Sequence, residues 1–178
     1  MAERVRALYN EEQDALLLGM LGQEYLVTRD GVFLRGQRAP ESHATVVVNY
    51  LFAPDQEPVL KPWRAIGDFE GRFTPDFRKK VELPLTHYAS EIIARANTLL
   101  PMIDAKAEPS FIGSDLAIAV RALPKVLLHV ELSQETQDFP AEAWILYSNN
   151  ADTFLDLTSL LMLTEIFKDR LLSLIRIY

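Results

Sequence analysis

Three observations predict an α+β fold, in which a mostly antiparallel β-sheet packs against several helices including a long C-terminal helix. An Asp30-Gly31 pair separates two β-prone runs, which is typical of a tight hairpin. Three further short apolar runs lie between residues 115 and 147, and polar loops separate them as in an antiparallel meander. The chain closes on an amphipathic stretch over residues 156–175, which predicts a helix that covers the sheet.

Composition predicts one globular domain over residues 1–178. The chain has 178 residues, of which 49% are hydrophobic and 24% charged, enough to bury a core without covalent cross-links. The 25 acidic and 18 basic residues give a net charge of -7, which disfavours nucleic acid and membrane surfaces as partners. The absence of cysteine excludes disulfides and thiolate-bound clusters from this chain. The first residues lack the apolar run of a leader, so we expect a cytoplasmic protein.

The first third of the sequence predicts two helices around the hairpin. Apolar positions recur near helical spacing over residues 4–21, and Gly22 is a suitable terminator for that helix. The hairpin strands follow at 24–28 and 32–35. Ser42 is expected to cap a second helix that runs to Phe52, although its β-branched residues favour a strand on propensity.

Proline and glycine residues interrupt the predicted elements in the middle of the chain. Residues 55–71 predict a loop with at most one short strand. A helix is expected from Thr74 to about Leu83, where Pro84 should break it, and a second helix should continue to Pro101.

The second half predicts three strands and the closing helix. The strands cover residues 116–120, 126–132 and 143–147, and we expect them to join the early hairpin in one sheet. The apolar stripe of the closing helix is wide enough to exceed what one sheet face covers, which would favour a homo-oligomer. The stripe consists of Leu157, Leu160, Leu161, Phe167, Leu171, Leu174 and Ile175.

The segment from Trp63 to Glu70 is the most site-like part of the sequence. Long loops fixed by aromatic anchors often line ligand pockets, and Arg64, Asp68 and Glu70 could bind or act as acid and base there. In the alternative and commoner interpretation, the aromatic residues pin the loop to the core and the glycines serve its turns.

The three histidines, His43, His87 and His129, are too far apart in sequence to resemble a metal-binding pair on one helix, and we expect no metal or cofactor. His87 and Glu91 have helical spacing, which suits half a metal site or, more often, a simple side-chain contact. His129 lies within a strand, where it is either a catalytic base or a structural sheet histidine. The candidate ligand-binding residues are therefore Trp63, Arg64, Asp68, Glu70, His87 and His129.

Four short segments of the chain carry a resemblance: 49–51, 122–126, 138–143 and 154–157. They resemble an uncharacterised prokaryotic family filed as a domain of unknown function, DUF3786, and the resemblance covers the chain from about residue 22 onward. Members of that family occur largely in anaerobes, and some look fused to a cysteine-rich segment similar to one of corrinoid iron–sulfur proteins. The resemblance implies a setting in anaerobic redox or one-carbon metabolism. This chain lacks every cysteine, so a cluster-carrying role does not transfer to it, and no functional residues carry over.

Three functions remain open at this point. The first is a non-catalytic binding or accessory module whose partner is a corrinoid or iron–sulfur protein. The second is a small-molecule-binding protein or small enzyme with a pocket at the Trp63 to Glu70 loop, and the third is a homo-oligomeric structural protein. No phosphate-binding glycine loop, nucleophile elbow or zinc-protease motif occurs in the sequence, which favours a function other than catalysis.

Overall fold

A computed structural model describes residues 1–69 and 75–177 and confirms the α+β fold. The strands form two antiparallel sheets, each in sequential strand order. The first sheet contains β1 (Leu8–Asn10), β2 (Ala15–Met20), β3 (Gln23–Thr28), β4 (Gly31–Leu34) and β5 (Gln37–Arg38), and the second contains β6 (Ala105–Ala107), β7 (Leu116–Leu123), β8 (Val126–Ser133) and β9 (Glu142–Tyr147). The α-helices are α1 (Ala2–Val5), α2 (Glu41–Tyr50), α3 (Pro75–Phe77), α4 (Leu83–Thr86), α5 (Ala89–Ala94), α6 (Ala96–Met102), α7 (Ala151–Phe154) and α8 (Leu157–Ile177).

The expected helix over residues 4–21 is wrong beyond its first turn. Only α1 is helical, and the chain then reverses between β1 and β2. In that reversal the Asn10 side chain accepts a hydrogen bond from the Gln13 amide at 3.2 Å, and Asp14 adopts a φ of 46°. An apolar run such as that in β2 suits a helix or a strand equally, and pairing with β3 decides between them.

The hairpin and the second helix are confirmed. Thr28 pairs with Gly31 at the end of β3 and β4, which leaves a two-residue turn between them. Helix α2 begins two residues earlier than a cap at Ser42 would place it, because Pro40 and not Ser42 occupies its N-cap. Burial of Val46 and Val47 in the core outweighs the strand propensity of this segment.

The proline-based helix ends are wrong in the middle of the chain. The backbone stays helical from α3 to α4 through a π-helical turn at Arg78–Glu82. Pro84 lies in the first turn of α4, where its missing N–H is tolerated, and Pro101 lies inside α6. Before this region the chain contains a short 3₁₀ helix, Ile66–Asp68, and Arg64 forms an isolated β-bridge.

The expectation of one sheet is also wrong. The early strands and the meander form separate sheets, which meet where the Leu21 amide donates to the Ala122 carbonyl at 3.1 Å. Leu21 and Gly22 both adopt positive φ and form the tight turn between β2 and β3. Strand β6, which the sequence did not predict, supplies the edge of the second sheet. One contiguous hydrophobic core includes residues of both sheets.

The inner face of the second sheet packs against the helices. Its side chains alternate along β8 as Leu128, Val130 and Leu132, all fully buried. Tyr147 on β9 hydrogen-bonds through its hydroxyl to Thr164 of α8 at 2.5 Å. Most of the predicted apolar stripe of α8 is buried within the chain, so this helix does not supply the wide exposed face on which the homo-oligomer expectation was based. The oligomeric state itself stays a prediction.

The Gly22 turn provides a test of the fold. A Cβ at Gly22 would lie 2.4 Å from the Met102 carbonyl oxygen, and the φ of +70° disfavours any L side chain. We expect Gly22→Ala to lower the free energy of unfolding by about 2 kcal/mol or more. Chemical denaturation measures this, with Gly19→Ala as the control, because no atom lies within 4 Å of a Cβ built there. A control that is equally destabilised would contradict the steric explanation.

Candidate functional site

The outer face of the second sheet carries polar groups at its centre. Ala119 of β7 lies directly opposite His129 of β8, and Ala117 lies opposite Glu131, so these four side chains share one face. Glu108 follows β6 directly, and its amide donates to the Ala117 carbonyl at 2.9 Å. Because β7 contributes only alanine methyl groups here, side chains from the two flanking strands meet above it.

His129 lies between two carboxyl groups. Its Nδ1 contacts Glu108 Oε1, and its Nε2 lies 2.8 Å from Glu131 Oε1. The His129 side chain is fully buried and the Glu131 side chain is 3% exposed, whereas Glu108 is 21% exposed. Both contacts are hydrogen bonds to ionised carboxylates only when both ring nitrogens carry a proton. Of the three groups, Glu108 is therefore the one that communicates with solvent.

The Glu131 carboxylate receives four hydrogen bonds. Besides His129, the Phe111 amide donates to Oε1 at 2.8 Å, and the hydroxyls of Ser110 and Ser114 donate to Oε2. Burial alone would raise the pKa of this carboxyl, but the hydrogen bonds from Ser110, Ser114, His129 and Phe111 together outweigh burial and lower its pKa to about 2. Glu131 is therefore a buried anion whose carboxylate oxygens are hydrogen-bonded by protein donors.

These bonds hold the 108–115 loop against the sheet. Within the loop, the Ser110 hydroxyl accepts from the Ser114 amide at 2.8 Å and from the Ile112 amide at 3.2 Å. The loop end is fixed separately, because the Gln134 amide donates to the Asp115 carboxylate at 2.9 Å. The shape of the loop therefore depends on Ser110 and on the Glu131 carboxylate below it.

Two aromatic rings enclose His129. Trp63 stacks on the imidazole with ring centroids 5.2 Å apart and planes 25° apart, and Phe111 lies against it at 4.8 Å. The ammonium of Lys61 lies 4.9 Å from the centre of the Phe111 ring, close enough for a cation–π contact. The 57–64 loop and the 108–115 loop therefore meet over the histidine.

The 57–64 loop is anchored along the edge of β9. Arg64 and Tyr147 exchange backbone hydrogen bonds of 3.0 and 2.8 Å, and the Asn149 side chain donates to the Pro62 carbonyl at 2.9 Å. The Val59 amide donates to the Asn150 side chain at 2.7 Å. This anchoring satisfies part of an exposed strand edge and fixes the position of the loop.

The structure brings together two of the six candidate residues, Trp63 and His129. Arg64 and Asp68 instead fix their own loop. The Arg64 guanidinium lies 4.1 Å from the Phe69 ring and donates to the Asn149 carbonyl, and the Asp68 carboxylate accepts from the Ala65 amide at 2.8 Å. Both side chains are thus engaged within or beside their own loop, and their role as ligand-binding residues stays a prediction.

The other two candidates do not join this cluster. His87 is exposed at the end of α4, where its Nδ1 lies 2.8 Å from the Leu83 carbonyl, and its expected neighbour Glu91 pairs with Arg95 at 2.9 Å. Glu70 lies outside the described residues. A separate cleft of about 560 Å³ lies beside the candidate loop, and Asp68 and Glu82 contribute to its lining.

Sequence reasoning missed Glu108, Glu131 and the two serines. A signal for Glu131 was present, because His129 and Glu131 are spaced to share one face of an otherwise apolar strand. The Ala-x-Ala pattern of β7 marks the matching gap on the neighbouring strand. Glu108 and the serines gave no signal, because only tertiary pairing places their loop over β8.

Over residues 1–69 and 75–177, no group of three or more histidine, cysteine, aspartate or glutamate side chains is arranged to hold a metal ion. No helix within the same ranges is long and apolar enough to cross a membrane.

The fold and the site define an α+β domain in which a buried carboxylate–histidine network clamps two loops onto a sheet. This chain belongs to the family described as Domain of unknown function (DUF3786), whose model matches residues 1–170. No curated protein and no solved structure shows significant similarity to the chain.

The low pKa of Glu131 predicts a specific acid sensitivity. Because the pKa is depressed in the folded state, the contribution of Glu131 to stability is present above its ordinary value of 4.5 and is lost as pH falls toward about 2. The shift corresponds to about 3 kcal/mol. Glu131→Gln removes this titration, so the stability advantage of the wild type over Glu131→Gln should shrink as the pH is lowered from about 5 toward 2.

Chemical unfolding of both proteins at a series of pH values measures this difference. Glu135→Gln, in the exposed loop between β8 and β9, is the matched control and should follow the wild type within about 0.5 kcal/mol. If the difference in free energy of unfolding between the wild type and Glu131→Gln stays constant between about pH 6 and pH 3, Glu131 is not the buried anion described.

Proposed function

We propose that this domain is a binding module that engages a partner protein through the outer side of its second sheet. The observation that carries the proposal is the tip of the 108–115 loop, where Phe111 and Ile112 are 54% and 62% exposed although Glu131 fixes the base of the loop. On the 57–64 loop, whose Lys61 contacts Phe111, the apolar residues Val59 and Leu60 are 48% and 42% exposed. Together with Lys61 they form what we term the loop-tip surface: Val59, Leu60, Lys61, Phe111 and Ile112.

The rigidity of its base supports a binding role for the loop-tip surface. A loop that is already ordered loses little conformational entropy when a partner binds, so more of the contact energy appears as affinity. Exposed apolar groups held in a fixed position are also characteristic of interaction sites on soluble domains. The aromatic ring of Phe111 suits such a surface, because aromatic residues are enriched at the core of protein interfaces, and the exposed Lys61 cation beside it has the polar character of an interface rim.

The second candidate is a small enzyme that uses His129 as a base. One observation favours it, namely that Glu108 is partly exposed and could pass a proton between His129 and solvent. Against it, both ring nitrogens of His129 already contact carboxylates, and the Glu131 oxygens already accept four hydrogen bonds. This network has its donors and acceptors matched within the protein, which suits a structural clamp better than substrate chemistry.

The class of partner is suggested by the family rather than by the site. A setting in anaerobic redox or one-carbon metabolism makes a cytoplasmic corrinoid protein or iron–sulfur protein the partner that we propose. The chain contains no cysteine, so it would accompany a cluster-bearing protein and not carry a thiolate-bound cluster itself.

Binding measurements with purified partners test this proposal. The immobilised domain is titrated anaerobically with a corrinoid iron–sulfur protein and with a ferredoxin from its own source organism. We expect the double variant Phe111→Glu/Ile112→Glu to weaken binding by about tenfold or more, because central apolar residues carry most of the affinity of an interface. The matched control is Ile177→Glu in the last turn of α8, where Ile177 is 71% exposed, and it should bind like the wild type.

Two results would contradict the proposal. One is the absence of binding to either class of protein at about 100 µM, a concentration that detects even weak complexes. The other is an equal loss of affinity in Ile177→Glu and in the double variant. Sedimentation of the domain alone tests for self-association. If the wild type self-associates and the double variant does not, the occupant of this surface is a second copy of the chain.

A further inference from the structure

A cleft of about 610 Å³ opens where the two sheets meet, and it is separate from the His129 network. Its walls come from β2 and the β2–β3 turn on one side and from the ends of β7 and β8 on the other. Leu60 of the 57–64 loop closes a third side. This volume falls within the range of about 300–1,000 Å³ that is usual for small-molecule sites. Apolar surface in the cleft comes from Leu17, Leu60 and Leu127.

Arg121 supplies a cation at the end of this apolar surface. It pairs directly opposite Leu127, so its side chain lies on the same face of the sheet as Leu127. Its Nε lies 3.7 Å from Asp104 Oδ2, which is longer than a hydrogen bond, and the side chain is 56% exposed. Among residues 1–69 and 75–177, no hydrogen-bond partner of this guanidinium is found. A guanidinium with open donors is suited to bidentate binding of a carboxylate.

Gly19 provides an independent indication of a ligand. It lies inside strand β2, where glycine weakens a strand and often marks the close approach of a ligand or another chain. Its backbone does not require glycine, since its φ is not positive, and no atom lies within 4 Å of a Cβ built there. Gly19 lines the cleft, so the missing side chain leaves open space above the strand.

The charges around the cleft restrict the ligand to a single negative charge. Arg6 also lines the cleft, but it is paired with Glu57. Asp104 and Glu24 lie in the same lining and would repel a polyanion such as a nucleotide. The arrangement therefore combines one available cation, an apolar wall and an acidic border.

We propose that this cleft binds an amphipathic monocarboxylic acid, with its carboxylate on Arg121 and its hydrocarbon chain over Gly19. The inference does not rest on the partner-binding function proposed above, because its ligand is different and Leu60 is the one residue that the cleft lining shares with the loop-tip surface. The hydrocarbon chain lies along Leu17 and Leu127, and the carboxylate competes with the long contact between Arg121 and Asp104.

Titration of the full chain with sodium octanoate tests the inference. Calorimetry measures the affinity, and backbone amide shifts in NMR locate the bound probe. We expect saturable binding, with the largest shifts around Gly19 and Arg121. Octan-1-ol has the same hydrocarbon chain without the charge and should bind about tenfold more weakly. Inorganic phosphate, which is an anion without an apolar part, should not saturate the site.

Two variants separate the roles of charge and space. Arg121→Gln should weaken octanoate binding by about tenfold while leaving octan-1-ol unchanged, and Arg29→Gln, at a cation 90% exposed elsewhere, should change neither. Gly19→Phe fills the cleft and should abolish binding of both probes. Gly19→Leu makes the same test with a smaller side chain if the phenylalanine lowers the melting temperature.

Any of three results would overturn the inference. The first is the absence of octanoate binding by the wild-type protein. The second is undiminished octanoate binding in a folded Gly19 variant, which would place the probe elsewhere. The third is phosphate binding tighter than octanoate binding, which would show an anion site with no preference for an apolar chain. Partner affinity through the loop-tip surface is measured separately, so failure here leaves that proposal intact.

Discussion

The buried carboxylate of Glu131 determines the arrangement of one whole side of this protein. An unpaired charge in that position would cost several kcal/mol, so β8 can hold Glu131 in the fold only if donors are brought to it. The 108–115 loop brings two hydroxyls and one amide, and His129 brings a ring nitrogen. The loop conformation, and with it the exposure of Phe111, is therefore a consequence of satisfying one anion.

The alanines of β7 make this network possible. Glu108 and His129 belong to opposite sides of β7, and their side chains meet because Ala117 and Ala119 leave room above the strand. The same strand has Ile118 and Val120, fully buried, on its inner face, where the helices need apolar bulk. Alternation of small and large side chains thus serves a polar cluster on one face and the hydrophobic core on the other.

Local patterns predicted the parts of the fold whose signals are contiguous in sequence. The β3–β4 hairpin, the meander of β7 to β9 and α8 each carry their periodicity or turn residues within one segment. Strand β2 was misassigned because an apolar run gains its strand character only from pairing with β3. The site was found only at Trp63 and His129, because the contact between them and the approach of Ser110 depend on tertiary packing. No local pattern encodes which loop will cover a strand.

The two proposed binding regions share one residue, and that has a thermodynamic consequence. Leu60 belongs to the loop-tip surface and also lines the cleft, and Lys61 beside it contacts Phe111. The 57–64 loop is already anchored beside β9, so neither ligand has to order it, and the link between the two regions is the Leu60 side chain itself. Any effect of one ligand on the other is reciprocal, so each changes the affinity for the other by the same factor. The coupling is positive where both ligands pack on Leu60 in one position, and it is negative where one ligand displaces Leu60 from the position that the other requires.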